Sequence, residues 1–132
     1  MLSAQRALQG GASGYDVATQ MLGGFVLYRG GEVPEMERLE VPAMHWLLAW
    51  TGAKVKTGGM IRSVRARFPL GHPIFARIGA LTELAVPLLQ GGHRRALGEA
   101  MNRGQAHLAE LGAVPDELGE IVHRLQGHPA IF

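Results

Sequence analysis

Paired glycines limit what this chain can build. Gly10–Gly11 and Gly23–Gly24 bracket the run ASGYDVATQML, which has room for no more than a short helix. Ahead of it, Ser3 to Leu8 reads as the tail of a helix that stops at Gly10 and Gly11, and the run itself predicts a helix over Asp16 to Leu22. FVLYR, Phe25 to Arg29, predicts a strand. Glu32 to Val41 holds a turn at Pro34 and a second strand, and the apolar HWLLAW, His45 to Trp50, predicts a short buried strand. Beyond Gly52 the spacing becomes helical, with helices expected at Gly58–Phe68, Pro73–Leu89, His93–Leu111 and Pro115–Leu125. Gly112 ends one helix and Pro115 is placed to open the next, with Asp116 and Glu117 favourable in its first turn. The expected class is α+β, a small β-containing front followed by a helical rear. Two or three strands are marginal as a sheet by themselves, so the front is expected to lack partner strands.

At 132 residues and 47% hydrophobic composition, the chain suits one domain or part of a larger one. With no cysteine it offers no disulfide framework and no thiolate nucleophile or ligand. The first residues lack the apolar core of a signal peptide, and no apolar run approaches the ~18 residues of a membrane span. A soluble, cytoplasmic protein is the expectation.

Charge is informative in its placement. The net formal charge is only +2, yet no acidic residue occurs between Glu40 and Glu83, where Lys54, Lys56, Arg62, Arg65, Arg67 and Arg77 all fall. Such a block attracts phosphate on a metabolite, a nucleotide or a nucleic acid, or forms a solvated face with acidic partners elsewhere in the fold. The six histidines show neither H-x-x-x-H nor H-E-x-x-H spacing, so no metal site is expected. Trp46 and Trp50 share a face if their run is a strand, and core packing is the expected role for at least one of them. Gly98 and Gly104, costly inside a helix, point to close helix packing.

The motif that carries chemistry is GGASGYDVATQMLGG. As a structural device, Ser13 is an N-cap and Asp16, three residues on, completes something close to a capping box. As a functional device, Gly10, Gly11 and Gly14 let backbone approach a ligand, and the helix start holds Asp16 against a substrate hydroxyl. The local pattern leaves both open.

GGASGYDVATQMLGGFVLYR resembles the segment of GHMP-type small-molecule kinases (galactokinase, homoserine kinase, mevalonate kinase, phosphomevalonate kinase) that carries G-S-G-x-D-V-A and the strand after it, in the form closest to phosphomevalonate kinases. HWLLAWTGAKVKTGGMIRSV is similar to that family's strand ending in W-T-G with its Ser/Thr turn. LGEAMNRGQAHLAELGAVPDELGEIV resembles its helix pair with the M-N-x-x-Q and L-G-V-S signatures. The three occur in family order and cover most of the chain. The G-x-G-S-S-A loop that cradles the nucleotide phosphates in the family does not occur here, nor does its later G-A-G-G-G segment. A partial kinase sequence is therefore expected, with a separate degenerate protein as the alternative.

The resemblance implies a two-domain fold, with residues 1–50 as the end of the N-terminal domain and 51–132 as the helical part of the C-terminal one. It implies an ATP- and Mg²⁺-dependent enzyme of the mevalonate pathway whose acceptor is phosphomevalonate or mevalonate, a small anionic molecule, with neither nucleic acid nor membrane as partner. Asp16 becomes the catalytic carboxylate. Ser13 and Gly14 line the acceptor pocket, Thr57 supports it, and Lys56 and Arg62, with Lys54, are candidates for the acceptor's charged end. Asp16 and Thr57 are expected to face one cleft, while Arg67 and Arg77 face solvent or acidic partners. A decarboxylase acting on diphosphomevalonate is the enzymatic alternative, since KTGGMIRSV is also similar to its turn, although the Asp of S-G-Y-D-V-A favours the kinase. A basic helical module that binds nucleic acid or a protein is the non-enzymatic one.

Overall fold

The first helix, α1 (Tyr15–Leu22), is closed by glycine on both sides, and its last turn hands directly to strand β1 (Phe25–Arg29). A turn through Pro34 returns the chain as β2 (Glu35–Leu39). The two strands pair antiparallel, with Phe25 opposite Leu39, Leu27 opposite Glu37 and Arg29 opposite Glu35, so an apolar pair sits at one end and an opposite-charge pair at the other. Helix α1 lies against β1, and Ala18, Leu27 and Leu39 are the buried apolar side chains described in this front unit. The structure, a computed structural model, describes residues 14–52, 57–126 and 128. The expected helix tail at Ser3–Leu8 lies outside them. Two compact units divide between Val41 and Pro42.

The rear unit holds α2 (Thr57–Arg67), α3 (Pro73–Gln90), α4 (Arg94–Glu110) and α5 (Asp116–Gln126). Each lies within two residues of its expected bounds, because glycine and proline punctuate them. Proline opens α3 at its first position, where a missing N–H costs nothing, and the His72 Nδ1 accepts the Ile74 N–H at 3.3 Å as a side-chain cap. At the far end Gly92, at φ 67°, lets the His93 N–H return to the Leu88 carbonyl at 2.9 Å, and Gly112, at φ 71°, does the same for Ala113 and Leu108 at 2.9 Å. These are Schellman turns, which need the left-handed conformation that glycine adopts without penalty. Pro115 stands one position earlier than expected. Its carbonyl accepts the N–H groups of Leu118 and Gly119, so it caps α5 rather than opening it.

Helices α3 and α4 pack together. Arg77 near the start of α3 meets Glu110 at the end of α4 at 2.8 Å, and Leu81 faces Gly104, so the pair runs antiparallel. Ile74 and Leu81 are buried from one helix, Leu97, Gly98 and Ala100 from the other, with Leu111 just beyond. Gly104 lies against Leu81, and Gly98 is buried, in keeping with the close packing the two glycines lead one to expect. Helix α5 is tied to α4 by the Gln126 amide donating to the Asn102 Oδ1 at 2.8 Å.

One element departs from expectation. Residues 45–50 form no strand, and neither Trp46 nor Trp50 lies in a core. Apolar composition marks a segment that should be covered, but a strand also needs a neighbour for its backbone groups. Among the described residues the one sheet is the β1–β2 hairpin. The result is a helix-rich chain with one two-stranded sheet, compatible with the α+β class. No helix among the described residues is long and apolar enough to cross a membrane.

Two substitutions test the α3–α4 packing with opposite signs. Ile74 is fully buried, so Ile74→Ala is expected to lower unfolding free energy by about 2–5 kcal/mol in urea titration. A methyl at Gly104 would meet the Leu81 Cδ2 at 3.6 Å, an ordinary contact, so Gly104→Ala should raise stability by up to ~1 kcal/mol through helix propensity.

Candidate functional site

The start of α1 is built by one residue. Gly14, buried at φ 89° and ψ 0°, is the N-cap, and its carbonyl accepts the Ala18 N–H at 3.0 Å. This backbone is left-handed, which would cost an L side chain about 1–2 kcal/mol. No side chain caps the helix. The sequence spacing had placed Ser13 as the cap and Asp16 at the third helical position. The left-handed Gly14 instead begins the helix one residue later, and Asp16 stands at the second position. Ser13 lies outside the described residues.

Asp16 is half-buried in the first turn, and its Oδ1 accepts the neighbouring Val17 N–H at 3.1 Å. The carboxylate thus lies over the amides that a helix leaves unsatisfied, at the positive end of the dipole. A carboxylate held this way can accept a hydrogen bond from a substrate hydroxyl and orient or deprotonate it.

The other described candidates lie in the rear unit, on α2. Thr57 is its exposed first residue. Arg62 folds back along the same helix. Because Gly58 and Gly59 carry no side chain, its guanidinium occupies the space beside them, and an added Cβ would lie 3.6 Å from Nη1 at Gly58 and 4.0 Å from Nη2 at Gly59. The structure therefore brings Thr57 and Arg62 to the opening of one helix, as it brings Gly14 and Asp16 to the opening of another. Lys54 and Lys56 lie outside the described residues.

Two more cations of the block, Arg77 and Arg67, have structural company. Arg77 forms the 2.8 Å ion pair with Glu110, an acidic partner as expected. Arg67 lies 5.3 Å over the Phe68 ring, which meets His72 edge-on at 5.0 Å. Sequence reasoning did not foresee a shallow groove of about 470 Å³ between α3 and α4, with Leu81 and Leu84 among its apolar lining and Arg77, Arg103 and His107 on its rim. Its signal was present in the three- and four-residue spacings of Arg77, Leu81 and Leu84 and of Arg103 and His107, but only the helix pairing brings the two sets together. His107 also approaches Glu110, at 3.6 Å, the carboxylate that pairs with Arg77.

The chain is similar to archaeal mevalonate kinases. It is 29% identical over 133 residues to that of Pyrococcus horikoshii, with 94% of this chain and 39% of the relative covered, and equally to that of Pyrococcus abyssi. To the mevalonate kinase of Aeropyrum pernix it is 28% identical over 134 residues, with 98% and 41% covered. The chain thus spans about two fifths of the length of the curated relatives it matches. No protein-family model matches it, and no solved structure does so at a significant level.

Substitutions at α1 should separate backbone from charge. Gly14→Ala is expected to destabilise the front unit by about 1–2 kcal/mol, read as a lower melting midpoint. Asp16→Asn keeps an oxygen for the Val17 amide and removes only the charge–dipole attraction, so its cost should stay below about 1 kcal/mol.

Proposed function

We propose that this chain is the acceptor-handling part of an ATP-dependent GHMP-type kinase of the mevalonate pathway, acting on mevalonate or phosphomevalonate. The observation that carries the reading is Asp16, a half-buried carboxylate on a helix start opened by a left-handed glycine, within a chain similar to mevalonate kinases over nearly its whole length.

Phosphoryl transfer asks mainly for positioning and for neutralisation of charge. In this reading Asp16 accepts the hydrogen bond of the acceptor hydroxyl, orients its oxygen toward the phosphorus and takes its proton. Gly14 and Ser13 line the acceptor's path, and Thr57 supports the pocket. Lys56 and Arg62 hold the acceptor's carboxylate or phosphate, for which a guanidinium fork is well suited.

ATP and Mg²⁺, which such a kinase uses, do not fit a site on the described residues. No group of three or more His, Cys, Asp or Glu gathers among them. The sequence holds no G-x-G-S-S-A loop. The role assigned to this chain is therefore confined to the acceptor, and residues 1–132 alone are expected to show no ATP-dependent phosphorylation of either acceptor.

The test uses a complete enzyme rebuilt around this segment. Asp16→Asn should lower kcat by about 10²–10⁴-fold with little change in KM for the acceptor. Lys56→Ala should raise that KM by roughly tenfold or more while kcat holds, as loss of a charge-assisted hydrogen bond implies. The ratio of kcat/KM for mevalonate and phosphomevalonate identifies the acceptor. Full turnover by the Asp16→Asn enzyme would overturn the assignment, leaving Asp16 as a helix-start charge and the basic block as surface.

A further inference from the structure

We draw no further inference here: the strongest candidate, the shallow groove between α3 and α4 with Leu81 and Leu84 in its lining and Arg77, Arg103 and His107 on its rim, is an open apolar face in a chain that spans about two fifths of its relatives, and nothing in the structure shows what covers it.

Discussion

The rear unit depends on the close approach of α3 and α4. Leu81 of α3 lies against Gly104 of α4, where the missing side chain lets the helices come close, and Ile74 of α3 and Leu97 and Ala100 of α4 are buried. The Arg77–Glu110 pair marks the register of this contact but does not account for its strength. Both side chains are about half exposed, where such pairs contribute at most ~1 kcal/mol. What holds the helices is apolar area removed from water, at about 25 cal/mol per Å². The Schellman turn at Gly92 makes that approach possible, because it reverses the chain within the three residues 91–93 between the helices. Helix α5 then attaches to α4 through the Asn102–Gln126 hydrogen bond.

The front unit rests on a conformational constraint at Gly14. Whether Asp16 serves as helix-start charge or as acceptor base, its direction follows from where α1 begins, and a left-handed glycine determines that point. The two roles are compatible. A carboxylate that lies over the first-turn amides is placed by the same helix start that favours it in structure. This is the arrangement a positioned base needs, and it explains why a motif that looks like a cap can also be read as chemistry.

Much of the fold was legible because helix ends in this chain are written in glycine and proline. Gly23, Gly92, Gly112, Pro73 and Pro115 each stand at a boundary, and the helices and the β1–β2 hairpin fall where those residues put them. The errors have a common origin in effects that local pattern does not carry. Ser13 and Asp16 have the spacing of a capping box, but the sign of φ at Gly14 decides where the helix starts. HWLLAW has the composition of a buried strand, but burial and pairing depend on a neighbour that its own residues cannot specify. The site was legible in part. Asp16 stands out as a candidate from glycine density and family resemblance, whereas the groove of Arg103 and His107 became visible only when two helices were laid side by side.

Pro87 stands inside α3, one turn before its end. A proline has no N–H to return to the carbonyl a turn earlier, so the ladder of helix hydrogen bonds has a missing rung there, while the turn beyond it is closed by the glycine motif at Gly91 and Gly92. The last turn of α3 is thereby attached to the helix body with one hydrogen bond fewer than a regular turn, while it is bonded to the reversal that follows. Local opening of the rear unit should begin at this seam. Amide hydrogens around the α3–α4 connection would then exchange with solvent as one small cooperative group, well before those of the buried helix centres.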